Sequence, residues 1–181
     1  VKGLKEKVNP LCFLRETELT KPCKNIEKIS IHAKKNNKNQ IEFAHELNLI
    51  VSNSISYESG STTTSTSSKD ALIQKKGVCQ DFAHILISAA RFNQLPARYV
   101  NGFLLEETVS GENTTHAWVE IFINNLGWVA FDPSHKKCID DKYIRISTGF
   151  DFVDASIIKG VKNNYNGDEY LNTKVDIENC Q

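Results

Sequence analysis

Apolar residues from Ile41 onward recur as Ile41, Ala44, Leu47, Ile50 or Val51, and Ile55, the period of a helix with one buried face. That spacing predicts an amphipathic helix over 40–53. His45 falls on it, and an isolated helical histidine reads as structural. Ser67 followed by Asp70 has the form of a helix start, so 69–76 reads as a short helix, with Gly77 suited to the left-handed position after it. A second stripe, Phe82, Ala83, Leu86, Ala89 and Ala90, begins at once and is stopped by Pro96, which predicts a buried helix over 79–93. Upstream, residues 1–39 are rich in lysine and asparagine, and HAKKNNKNQ reads as a solvated loop. The run GSTTTSTSS over 60–68 reads as a flexible connector, with an active-site rim as the alternative.

Beyond Pro96 the period shortens to two. Ala97 to Leu105 is rich in Tyr, Val and Phe, and Thr115 to Ile123 alternates Ala117, Val119, Ile121 and Ile123 against His116, Trp118, Glu120 and Phe122. NNLG at 124–127 is a hairpin turn into Trp128 to Asp132, which Pro133 ends. Asn166-Gly167 is a further turn signal, and YLNTKVDI alternates again. Helices first and antiparallel strands after them make an α+β class, and 181 residues with 40% hydrophobic content supply one core.

Composition then narrows the function classes. Lys+Arg and Asp+Glu both number 22, so no net basic field gathers nucleic acid or anionic lipid. No apolar run nears the roughly 18 residues that span a bilayer. Neither nucleic acid nor membrane is expected as a partner. The five cysteines are odd in number and never form C-x-x-C, so a reducing, cytoplasmic compartment is the simpler reading, with a Cys12–Cys23 bridge as the exported alternative. A start at Val1 and the lack of methionine point to a processed product or a piece of a longer reading frame.

Cys79 falls on the first turn of its helix. A cysteine there meets unsatisfied backbone N–H groups and the positive helix end, which favour thiolate. Position alone nonetheless favours packing, because free cysteine is commonly buried. His116 opens one strand of the hairpin and Asp132 closes the other, so Cys79, His116 and Asp132 could form a nucleophile, base and orienter set. Register decides this. A plain four-residue loop puts Asp132 opposite Val119, on the wrong face; Ile123 opposite Gly127, or one bulge, pairs Trp118 with Asp132 and leaves His116 diagonal, roughly 7 Å away. The odd count is expected.

KKGVCQDFAHILISAARFNQLPARYVNGFLL, THAWVEIF and GWVAFDPSH together resemble the transglutaminase-like superfamily, in particular its bacterial branch of transglutaminase-like or cysteine-protease-like proteins. The likeness covers about residues 40–167. It implies a papain-like α+β fold, N-terminal helices packed on an antiparallel sheet, and a catalytic domain over 40–181 preceded by an extension over 1–39. Bacterial relatives tend to carry a β-rich segment before the catalytic region, of which the extension is a remnant or linker. The resemblance also implies acyl transfer on peptide or protein amides: Cys79 attacks the carbonyl, His116 moves the proton, Asp132 fixes the imidazole, and water or an amine resolves the acyl-enzyme. The alternative is a catalytically inactive binding or assembly module.

Two features depart from the family. Animal transglutaminases place an oxyanion-binding tryptophan before the cysteine, whereas Trp118 and Trp128 both follow it. The Cys79 backbone N–H is therefore the named oxyanion donor, with Tyr57 and Gln80 as candidates for a second. Phe150 stands where the bacterial segment GFDFVDA usually has arginine. His84, five residues after Cys79, points away from the thiol, and Asp81 reads as a cap or hydrogen-bond anchor. His135 and Cys138 make an H-x-x-C without a second ligand pair, so no metal and no cofactor are expected.

Overall fold

The computed structural model describes residues 7–35, 39–105, 115–158 and 167. A 3-10 turn, Pro10–Leu14, leads into α1 (Lys24–Lys35) and α2 (Gln40–Ser52). Then come β1 (Ser56–Tyr57), α3 (Ser68–Gln74), β2 (Lys76–Gly77) and α4 (Cys79–Phe92). Strands β3 (Ala97–Leu104), β4 (Thr115–Ile123), β5 (Gly127–Asp132), β6 (Lys137–Cys138) and β7 (Tyr143–Gly149) form one antiparallel sheet in the order β6-β5-β4-β3-β7.

The expected helices over 40–53 and 79–93 and the three central strands are present within two residues at each end. The expected turn at 166–167 and strand at 170–177 lie, apart from Gly167, outside the described residues. The polar stretch before residue 39 differs from expectation. Lys24–Lys35 is a helix, because Ile26, Ile29 and Ala33 recur on one side of it and Ile26 and Ala33 are fully buried in the core. Four lysines on the other side masked that stripe in the composition.

One core joins α1, α2 and α4 to the inner face of the sheet, where Tyr99, Ala117, Val119 and Ile121 meet Phe82, Ile85, Leu86 and Ala89. α4 is buried from Gln80 to Arg91 on every side, including a polar row at helical spacing: Asp81, His84, Ser88 and Arg91. Arg91 holds that row to the rest of the chain. It donates to the carbonyls of Phe13 (2.8 Å), Ala97 (2.9 Å) and Phe150 (2.8 Å) and to the Thr20 hydroxyl (2.8 Å).

The start of α4 is fixed locally. Ser67 caps α3 by accepting from Asp70 N–H, as its spacing predicts. The left-handed residue after α3 is Lys75 (φ 55°), not Gly77 as expected. Gly77 instead joins β2, and a Cβ on it would lie 2.7 Å from the Asp81 side chain. The glycine is needed for close approach, since Asp81 folds back to accept from Val78 N–H (2.8 Å) and the Thr62 hydroxyl (2.6 Å). Asp81 is thus the anchor the sequence suggested, and Thr62 ties the 60–68 loop to the first turn of α4.

Candidate active site

Cys79 occupies the first position of α4, half-buried, at the positive end of the helix dipole. His116 comes from β4 and Asp132 from the last position of β5. The hairpin has the odd register: Ile123 pairs with Gly127 and Val119 with Phe131, which carries on to Trp118 beside Asp132. Asn125 (φ 68°) and Gly127 (φ 84°) supply the left-handed residues that the three-residue loop demands. His116 and Asp132 therefore share a face. His116 Nε2 donates to Asp132 Oδ2 at 2.7 Å, and Cys79 is among the neighbours that raise the proton affinity of the ring. With Nε2 engaged, Nδ1 is the ring atom left for sulfur.

Burial, the largest single influence, pushes the His116 pKa down. The hydrogen bonds and charges of Asp132 and Cys79 outweigh it and hold the ring up at about 9. Burial likewise opposes the charged form of Asp132. Hydrogen bonds from His116, His135 and Ser134, with the His116 charge, overcome it and keep the carboxyl well below the usual carboxylate range.

Two groups at this carboxylate were not found from sequence. His135 Nδ1 donates to Oδ2 at 2.8 Å, and Tyr143 Oη from β7 donates to the same oxygen at 2.7 Å. His135 carried a local signal, being three residues past Asp132 in an Asp-Pro-Ser-His turn. Tyr143 carried none, since β7 lies at the opposite edge of the sheet from β6. His116, Asp132 and His135 each present one ligand-type atom within 4.8 Å of the others. Both imidazoles spend that atom as a donor to the carboxylate, so the cluster is a hydrogen-bonded junction. Cys138 faces Phe131 from β6.

The remaining candidates fall as follows. Gln80 is buried and its side-chain amide donates to Thr63 O at 3.4 Å; Tyr57 is exposed and stacks on Phe82. His84 is fully buried with Nε2 accepting from Phe152 N–H, and burial, opposed by the Asp151 charge and reinforced by that of Arg91, drives its pKa down to about 4. Phe150 packs on Phe13 at 5.2 Å with Arg15 over its ring at 5.3 Å, inside an aromatic patch. Cys12, Cys23, Cys79 and Cys138 are free thiols, so the described chain has no Cys12–Cys23 bridge. Among the described residues no helix is long and apolar enough to cross a membrane.

A papain-like α+β fold with a cysteine at the mouth of its central helix defines a class of protein, and comparison with known sequences names it. The chain belongs to the transglutaminase-like superfamily, whose family model matches residues 28–133. A Mycobacterium tuberculosis protein is 30% identical over 147 residues, 76% of this chain and 47% of that protein. A Mycobacterium leprae protein is 37% identical over 112 residues, 59% of this chain and 39% of that protein. The chain thus spans about half the length or less of these curated relatives. Among solved structures, a "Putative Cysteine Protease" from Cytophaga hutchinsonii superposes with a TM-score of 0.69 at 27% identity, covering 83% of this chain and 51% of that one. The periplasmic domain of TgpA from Pseudomonas aeruginosa shares the fold, with a TM-score of 0.54 at 21% identity over 70% of this chain and 49% of that one.

Proposed function

We propose that the protein is a thiol-dependent acyl-transfer enzyme acting on peptide or protein amide groups. The observation that carries this reading is the 2.7 Å hydrogen bond between His116 and the Asp132 carboxylate, with Cys79 at the mouth of its helix among the groups that raise the proton affinity of the ring. In it, the thiol proton passes to the imidazole, whose raised proton affinity favours the imidazolium, and the sulfur so freed bonds to the amide carbonyl carbon. The developing oxyanion meets the Cys79 backbone N–H, with Gln80 or Tyr57 as a second donor. Collapse breaks the C–N bond, and the imidazolium gives its proton to the departing amine. Water or a primary amine then attacks the thioester, which makes the outcome hydrolysis or cross-linking. Asp132 keeps the Nε2–H tautomer, so that Nδ1 faces sulfur throughout. A cytoplasmic setting belongs to the same reading, because the nucleophile must stay reduced.

Mass spectrometry of a peptide library incubated with the protein, with and without a primary amine, tests this directly. Deamidation, cleavage or amine incorporation is expected, and Cys79→Ala should abolish it. Iodoacetamide should label Cys79 faster than Cys12, Cys23 or Cys138 near neutral pH. Unchanged peptides together with slow Cys79 labelling would leave a binding or assembly module.

A further inference from the structure

Asp132 accepts more hydrogen bonds than a histidine–aspartate pair requires. Its Oδ1 takes Ser134 N–H (2.9 Å), Ser134 Oγ–H (2.6 Å) and His135 N–H (3.2 Å), all from the turn directly after β5. These three fix the carboxylate plane from within its own loop. Its Oδ2, the oxygen on His116 Nε2, also takes Tyr143 Oη–H and His135 Nδ1–H. Both extra donors bring rings against His116: His135 at 5.2 Å and Tyr143 at 5.8 Å between centroids, with Trp118 at 6.3 Å. Ionisable groups of the described residues that also face this junction include Cys79 from α4 and Lys137 from β6. Lys137 Nζ lies 5.1 Å over the Tyr143 ring and is paired to Asp140 at 2.9 Å.

We propose that Tyr143 and His135 are positioning residues for His116: by sharing Oδ2 they weaken the hold of Asp132 on the imidazolium and set the pH at which the ring releases its proton. A carboxylate oxygen devoted to one imidazolium stabilises that cation most. Each further donor draws on the same lone-pair charge and leaves less for the ring. Because Oδ1 already secures the carboxylate, the donors on Oδ2 are free to tune charge without holding geometry. The consequence for turnover rests on the acyl-transfer reading, since an imidazolium that yields its proton more readily is the better acid toward a leaving amine. The sharing itself does not depend on that reading.

The test follows the His116 ring nitrogens by NMR across a pH titration in the wild-type chain, Tyr143→Phe and His135→Ala, with iodoacetamide labelling of Cys79 run in parallel. Tyr143→Phe removes only the hydroxyl, and His135 is 37% exposed at its side chain, so its removal spares the core. Each variant should raise the His116 midpoint by about 0.5–1 pH unit while melting within a few degrees of wild type. A midpoint that stays put or falls in a folded variant overturns the proposal. Should Tyr143→Phe fail to fold, His135→Ala alone decides. If wild-type Cys79 is not labelled selectively, the acyl-transfer reading fails while the titration still rules on the sharing.

Discussion

At the scale of single residues, the His116–Asp132 pair couples charge to stability in a definite sense. The folded protein holds the His116 proton more tightly than the unfolded chain does, so the pair's contribution is whole below the ordinary value of 6.5 and is lost as pH climbs through about 9. Asp132 has the opposite sign: its contribution is present above the ordinary carboxylate value of 3.8 and is lost as pH falls below it. Asp132→Asn should therefore flatten the fall of unfolding free energy between about pH 6.5 and 9 and lower the His116 midpoint, as read by urea melts and NMR. A curve that keeps its alkaline slope in that variant would locate the linkage elsewhere. The residue types and motifs of the sequence point to Cys79, His116 and Asp132 as candidates. They could not supply Tyr143, because β7 and β5 are separated by β3 and β4, and a contact between strands that are not neighbours leaves no periodic trace.

At the scale of elements, α4 determines most of what is unusual here. Its apolar stripe was legible, yet the polar row Asp81, His84, Ser88 and Arg91 would have been assigned to a solvated face by any helical wheel. Burial on all sides follows from layering: α1, α2 and α3 cover the helix opposite the sheet, and the segments around Phe13 and Phe150 close over the polar row. His84 bears the cost. Its imidazole must stay neutral to accept from Phe152 N–H, so the unfolded chain binds the proton first as pH falls. Stability should drop by up to about 3 kcal/mol between pH 6.5 and 4. His84→Gln, which keeps an acceptor without a titratable nitrogen, should remove that drop. Thermal melts across the interval measure it, and an unchanged slope in the variant would exonerate His84. With the alkaline loss at His116, this places maximum stability near pH 6.5.

At the scale of the molecule, Arg91 links four separated stretches of chain, and its guanidinium stays charged because burial lowers its pKa only to about 10. Arg91→Met keeps the stem and strands the carbonyls of Phe13, Ala97 and Phe150. A loss of about 3 kcal/mol or more is expected in denaturant melts, with earlier proteolysis before residue 20. Cleavage no faster than wild type would mean that the 3-10 segment is held by Phe13 packing alone. The sheet carries a similar constraint at Gly102, where a Cβ would lie 2.0 Å from Ile144 O and 2.7 Å from the Trp118 ring. That glycine lets β7 approach β3 closely enough to join the sheet whose opposite half holds Asp132.

Local chemistry in the sequence determined the helices over 40–53 and 79–93 and the hairpin. Those follow from period, capping and turn geometry, which act over a few residues. Tertiary structure alone decided that α1 joins the core, that Lys75 rather than Gly77 takes the left-handed turn, and that His135 and Tyr143 share Asp132. Each depends on which distant surfaces come to lie together, and burial of that kind is a property of the assembled layers.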